Sequence, residues 1–317
     1  MNGSPEETQH KPVMLETAIE LLDCRSGGIY VDGTVGGGGY ARAILEKSAP
    51  GGVVLGLDWD EEAIGRVGEK LSGEYGKRLK LERADFADIR RVLGKHGLEY
   101  ADGIVVDLGV SSFQLEDPAR GFSFVHEGPL DMRMNRELPH TAADLVNTLP
   151  EKELADLIFK YGEERLSRRI AGKIAAERKQ HRIDGTKELA DMIRKVVPRT
   201  RDSFRIHPAT RTFQALRIAV NHELESVERF LPEALDVLRP GGKLCVVAFH
   251  SLEDRIVKGT FKSWAQSCRC PREFAACRCE GRPLARLLAK KALRPTPDEV
   301  EVNPRARSAR LRAVEKV

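Results

Sequence analysis

The run Tyr30-Val-Asp-Gly-Thr-Val-Gly-Gly-Gly-Gly39-Tyr40 decides how this chain reads. A short apolar stretch ends in glycines, which lack a Cβ and let the main chain approach a ligand closely. The alanine- and leucine-bearing segment from Tyr40 to Lys47 predicts a helix. A second apolar run, Val53-Val-Leu-Gly-Leu57, then ends in an acid, Asp58. Strand, glycine turn, helix, strand and acid make a nucleotide-type βαβ unit. In such units the acid after the second strand accepts hydrogen bonds from both ribose hydroxyls. Four glycines alone would also suit a flexible connector, but their flanks argue for a nucleoside cofactor. A dinucleotide and a methyl donor are both open at this point.

The 317 residues suffice for about two domains, or one large domain with an insertion. Lysine and arginine exceed aspartate and glutamate by only 52 − 48 = 4, so any taste for a polyanion must come from local clustering. The first eleven residues are polar and acidic, unlike an export signal. No apolar run approaches the ~20 residues that cross a bilayer. The expectation is a soluble, cytoplasmic protein with no membrane partner. Six cysteines in a reducing compartment are expected to hold metal or stay as thiols.

Further strands are expected at Leu79–Leu81, Gly103–Asp107 and Lys243–Phe249, all short and apolar as buried parallel strands are, and an edge strand at Ala309–Val314. More than 130 residues separate Asp107 from Lys243, too many for a structureless connection, so something folded is inserted there. Thr141–Asn147, Glu151–Tyr161, Glu163–Lys179 and Thr186–Val197 carry apolar residues at helical spacing, with breaks at Asn147, Gly185 and Pro198. The outer positions Arg165, Arg168, Arg169, Lys173, Arg178, Lys179 and Arg182 form an elongated basic face. It is either a solvated surface or a nucleic-acid contact.

After the expected helix Glu223–Leu238, the turn Arg239-Pro-Gly-Gly-Lys feeds directly into a strand. It resembles the fifth-strand turn of class I S-adenosylmethionine methyltransferases. The Tyr-x-x-x-Lys pair of hydride-transfer enzymes is missing, as are the P-loop, His-Glu-x-x-His and Gly-x-Ser-x-Gly patterns. Asp107-Leu-Gly-Val-Ser-Ser112 ends the central apolar strand, at the sheet edge where open α/β folds bind ligands. Methyl transfer needs the acceptor lone pair in line with the methyl group, and an exocyclic amine has a poor, conjugated one. An acid accepting one N–H localises that lone pair and can take the proton. Asp107 is the catalytic candidate; otherwise it orders the glycine turn or holds the cofactor.

The stretch from Asp107 to Phe124 and Gly128-Pro-Leu-Asp-Met-Arg-Met134 resemble the signature of one family. So do His207-Pro-Ala-Thr-Arg-Thr-Phe-Gln-Ala-Leu-Arg217, Phe249-His-Ser-Leu-Glu-Asp-Arg-Ile-Val-Lys258 and Asn303-Pro-Arg-Ala-Arg-Ser308. This is the ribosomal RNA small-subunit methyltransferase H group, also called MraW, and the resemblance runs from about His10 to the C-terminus.

It implies a Rossmann-like class I methyltransferase domain with an inserted all-helical domain, divided as 1–112, 113–212 and 213–317. It further implies S-adenosyl-L-methionine as cofactor, 16S rRNA within the small ribosomal subunit as partner, and methylation at N4 of a decoding-centre cytosine. The cofactor positions it carries over are Gly38, Gly39, Tyr40, Asp58, Phe86, Asp107 and Gln114. Phe86 offers an apolar face to a flat ring, and Gln114 both a donor and an acceptor. Tyr40 stands where the family commonly has histidine. A side-chain contact there would change, and a main-chain one would not.

In the other motifs Arg211, His250, Arg255 and Arg305 are the RNA-contact candidates, with His207, Arg217, Asp254 and Arg307 beside them. Arg255 and Asp254 could equally pair internally, and Arg217 could simply pack against a helix. Cys268-Arg-Cys270 and Cys277-Arg-Cys279 could complete a tetrahedral zinc site or stay as thiols. Cys24 and Cys245 look like small core residues. Two rivals to the rRNA enzyme are a non-catalytic RNA-binding assembly factor that keeps the fold, and a methyltransferase of protein or DNA.

Overall fold

The computed structural model describes residues 12–197, 207–268, 270, 273, 274, 276, 278 and 281–317. The chain divides into two compact units, one of Met1–Gly109 with Leu224–Val317 and the other of Val110–Glu223. The first opens with helix α1 (Leu15–Leu22) and then alternates strand and helix: β1 (Ile29–Asp32), α2 (Gly39–Lys47), β2 (Val53–Asp58), α3 (Glu61–Tyr75), β3 (Leu79–Arg83), α4 (Ile89–Lys95) and β4 (Ala101–Asp107). The second is helical: α5 (Ser112–Glu116), α6 (Ala142–Thr148), α7 (Glu151–Gly162), α8 (Ser167–Glu177), α9 (Thr186–Val196) and α10 (Thr210–Asn221). The first unit resumes with α11 (Glu223–Val237), β5 (Leu238–Ala248), α12 (Ser251–Trp264), β6 (Ala285–Leu287), α13 (Pro297–Val302) and β7 (Arg310–Lys316).

The seven strands lie in the order β3-β2-β1-β4-β5-β7-β6. The first five are parallel; β7 runs antiparallel to β5 and to β6. Successive side chains point to opposite faces of the sheet, and both faces are buried. Val31, Leu55, Leu57, Ile104, Val106 and Val246 pack against Ile89 of α4, Phe230 of α11 and Phe261 of α12. Tyr30, Val54, Val105, Cys245 and Val247 pack on the other face against Ile19 of α1, Ile44 of α2 and Val67 of α3. Both faces being covered explains why these strands read as unbroken apolar runs.

Chain order reverses between β1 and β4, which opens a crevice at their carboxyl ends. Val35 N–H donates to Leu57 O at 2.7 Å and Gly33 N–H to Val105 O at 2.9 Å, so the glycine loop is tied to the strands on either side. A Cβ on Gly33 would sit 2.8 Å from Val106 Cγ2, which no larger residue tolerates without displacing β4. Gly36 and Gly38 adopt φ of +50° and +82°, the left-handed region that glycine enters freely.

Two expectations change. β7 was expected at the edge of the sheet, but it lies between β5 and the three-residue β6, too short and too charged at Arg286 to stand out in the sequence. α10 was split at residue 212, yet the whole helix belongs to the second unit. There Phe213 and Leu216 share a core with Leu154 and Ile158 of α7.

Candidate functional site

Three short segments of the first unit converge at the crevice. β1 ends at Asp32 and the loop after it brings Thr34 and the glycines; β2 ends at Asp58; β4 ends at Asp107. Register sets this, since Asp32 lies beside Val105 and Gly56, two residues short of each neighbouring strand's terminal acid.

Asp58 is set up as an acceptor. Its Oδ2 takes the Gly36 N–H and its Oδ1 the Asp60 N–H, both at 2.9 Å, leaving each oxygen a second lone pair. Burial lifts its pKa to about 6, against the pull of those two main-chain bonds. Phe86 is half-buried, its ring edge-on to Phe230 at 5.1 Å, and a Cβ on Gly33 would lie 3.2 Å from its own Cβ.

Asp107 has its main-chain N–H held by Thr34 Oγ1 at 2.7 Å, and Thr34 N–H in turn reaches Asp32 Oδ1 at 3.3 Å. Yet Asp107 Oδ1 and Asp32 Oδ2 are buried with no hydrogen-bond partner among the described residues. Burial pushes Asp32 up to about 7 and Asp107 well above the carboxylate range, and the negative charges of Asp32, Glu253 and Glu299 push Asp107 the same way. An ionised carboxylate buried without a partner is costly, so this edge suits a cation.

Tyr40 is buried in the first turn of α2, and its hydroxyl donates to Val13 O, so its side chain serves the fold. Gln114 belongs to the second unit. There its Oε1 accepts the Ser111 N–H at 3.0 Å and its own N–H donates to Ser111 Oγ, a capping box at the start of α5.

The remaining motif residues scatter. Asp254 is bound by Arg310 Nη1 and Arg312 Nε, each at 2.7 Å, so its internal partners are these and not Arg255. Burial raises its pKa, but the two guanidinium groups outweigh that and hold it below the usual value. Arg255, Arg305 and Arg307 are exposed. His250 caps α12, with Glu253 Oε2 accepting the Phe249 and His250 N–H groups.

In the second unit Arg217 meets Glu223 through two hydrogen bonds of 2.8 and 2.7 Å, and Arg211 lies 4.0 Å from Glu164. His207 stacks at a tilt on Phe124, 4.6 Å between centroids, and burial lowers its pKa. Cys268 is exposed and Cys270 half-buried, while Cys277 and Cys279 lie outside the described residues.

Three residues at the crevice went unremarked in the sequence. Asp32 was signalled by an acid closing an apolar strand just before the glycines, and Thr34 by a hydroxyl inside the loop. Glu253 was signalled by the x-x-Glu spacing after His250 that marks a helix start.

Strand order, glycine loop and the acids after β2 and β4 define a class I S-adenosylmethionine-dependent methyltransferase. Residues 7–317 match the MraW methylase family, and the chain belongs to it. It is 66% identical to the ribosomal RNA small subunit methyltransferase H of Syntrophobacter fumaroxidans, over 97% of this chain and 96% of that one. The proteins of the same name from Geotalea uraniireducens and Pelobacter propionicus are 50% and 51% identical, over 97% and 98% of this chain and 98% and 99% of theirs.

S-adenosylmethionine is the cofactor, and the crevice fits it. Two orphaned carboxylate oxygens would answer its sulfonium and ammonium charges, and the open lone pairs of Asp58 would receive its ribose hydroxyls. No helix among the described residues is long and apolar enough to cross a membrane.

Proposed function

We propose that the protein methylates 16S rRNA in the small ribosomal subunit, at the exocyclic N4 of a cytosine in the decoding centre. The name and 66% identity of the Syntrophobacter relative support the small-subunit substrate. For amino-group chemistry the support is Asp107, an acid at the end of β4 whose buried Oδ1 has no partner among the described residues.

The cofactor, when bound, supplies an electrophilic methyl group. Gly38, Gly39 and the main chain of Tyr40 leave room for its amino-acid end, Asp58 receives the ribose hydroxyls, and the ring of Phe86 lies beside the adenine. Asp107 accepts one N–H of the target amine, which localises the nitrogen lone pair, and takes the proton as nitrogen gains its new bond. Thr34 fixes the peptide of Asp107, so the carboxyl group meets the amine in a set orientation. For the amine to arrive, the cytosine must leave its stack.

Labelled methyl transfer tested in parallel on small subunits, naked rRNA, DNA and protein extract, followed by nucleoside mass spectrometry, checks this reading. Label in N4-methylcytidine from small subunits is the expected result. Label confined to DNA or protein would refute it.

A further inference from the structure

We propose that one end of the helical unit is a docking surface for the RNA substrate. Phe159 is its base-stacking platform, and Arg165, Arg168, Arg169 and Arg211 grip the phosphate backbone. The inference rests on the rRNA reading above and adds to it a surface that lies wholly within the second unit.

The placement follows from how the helices pack. A Cβ on Gly172 of α8 would lie 3.3 Å from Glu151 Oε1 at the start of α7, so the two helices run antiparallel. The end of α7, with Phe159 and Lys160, therefore meets Arg165 and the start of α8, with Arg168 and Arg169. α10 begins at the same place: a Cβ on Gly162 would sit 2.5 Å from Arg211 O, and Gln214 Nε2 donates to Tyr161 O at 3.1 Å.

Phe159, Arg165, Arg168 and Arg169 are not used by the fold. The inner face of α7 is Leu154, Ala155, Ile158 and Gly162, and Phe159 turns away from it, 60% exposed. Arg165, Arg168 and Arg169 are exposed and pair with no acid among the described residues. Arg168 and Arg169 also stand in the first turn of α8, where cations oppose the helix macrodipole and where α8 carries no acid, whereas α7 and α9 do.

Of the rest of the basic face, Lys179 is exposed and the other three are spent internally. Lys173 pairs with Glu177, Arg178 donates to Val146 O at 2.7 Å, and Arg182 binds Asp144 and Asp184, each at 2.8 Å. The acids at the docking end are Asp156, Glu163 and Glu164. Glu164 is buried and faces Arg211 at 4.0 Å. Planar guanidinium forks around one exposed aromatic match phosphates flanking an unstacked base.

The test is equilibrium binding to naked 16S rRNA across a salt series, with methylation kinetics on small subunits alongside. The triple variant Arg165→Ala, Arg168→Ala, Arg169→Ala is expected to bind at least about 10-fold more weakly. Its log–log salt slope should be smaller by about 2 to 3, since each phosphate contact contributes about 0.7–0.9. KM for small subunits should rise by a similar factor, with kcat, S-adenosylmethionine affinity and melting temperature unchanged. Phe159→Ala should weaken binding by about 10-fold, and Phe159→Tyr should retain it, because any aromatic face stacks.

Unchanged rRNA affinity and salt slope in the triple variant would overturn the proposal. So would a loss seen with intact subunits and not with naked rRNA, which would mark a protein contact instead. Wild-type protein that transfers no methyl group to small subunits would refute the rRNA reading. The salt slope still tests the docking surface in that case.

Discussion

In the sheet unit, Asp32 and Asp107 each keep a buried carboxylate oxygen without a hydrogen-bond partner. In the helical unit, the Arg217 and Glu223 side chains, 16% and 9% exposed, meet through two short hydrogen bonds. The contrast extends to a buried amide and a buried guanidinium bonded to main-chain carbonyls. Asn221, 1% exposed, donates to Met132 O and Arg217 O and accepts from Met134 N–H. Arg120, 3% exposed, donates to Arg133 O and Met134 O. Among the described residues of the helical unit the one orphaned buried side-chain atom is a hydroxyl, Thr212 Oγ1. Buried polarity that is fully paired specifies a fold. Buried charge left unpaired costs stability, and the crevice keeps it where a cationic ligand is needed.

Substitutions that remove charge should therefore behave in opposite ways in the two units. Asp107→Asn should lower kcat by about 10²–10⁴-fold, the usual range for a lost general base, and should also weaken S-adenosylmethionine binding, because a neutral amide no longer answers the cofactor's positive charge. Steady-state kinetics retaining wild-type kcat would take Asp107 out of the reaction. Arg217→Met strands Glu223 in the helical unit and should cost about 3–5 kcal/mol in urea denaturation, with Arg217→Met/Glu223→Gln recovering most of it.

Asp58→Ala should weaken cofactor binding by about 3–6 kcal/mol, the worth of two hydrogen bonds to a charged group at about 1.5–3 kcal/mol each, measured by calorimetry. In the wild type that affinity should decline as pH falls through about 6, where Asp58 gains its proton.

Asp32→Asn should be the mildest change and carries the clearest sign. Folding raises the Asp32 pKa from 3.8 to about 7, so between those values the folded chain holds a proton the unfolded chain has lost. Stability from this group is intact below about pH 4 and drains away as pH rises to about 7. Asp32→Asn should thus stabilise the cofactor-free protein at pH 8, on the order of 1–3 kcal/mol, and leave it unchanged at pH 4. Equal effects at both pH values in thermal melts would show that Asp32 is not held protonated.

Most of the sheet was legible because its parallel strands are buried on both faces, so β1, β2 and β4 appear as apolar runs closed by an acid and β5 as one opened by glycines. β6 was not, because three residues with a central arginine carry no periodicity. Local chemistry also made Asp58 and Asp107 legible, as acids ending apolar strands.

What a side chain does once packed was not legible. Tyr40 reads as a ligand residue and bonds to Val13 O; Arg217 reads as an RNA contact and closes a buried ion pair; Asp254 takes Arg310 and Arg312 from more than fifty residues away. The arginines of β7 lie too far along the chain from Asp254 for spacing to reveal, and Arg217 meets Glu223 only because the chain turns at His222, in the left-handed region, between α10 and α11.

The most direct test is calorimetric titration of S-adenosylmethionine into the protein at pH 6.5, repeated in buffers of different ionisation enthalpy. If the unpaired acids of the sheet edge meet the cofactor's positive charges, their pKa values fall on binding and protons leave. The expected result is a net proton release, larger than that with the demethylated product, whose sulfur is neutral. The same heat in every buffer would mean that Asp32 and Asp107 do not receive that charge.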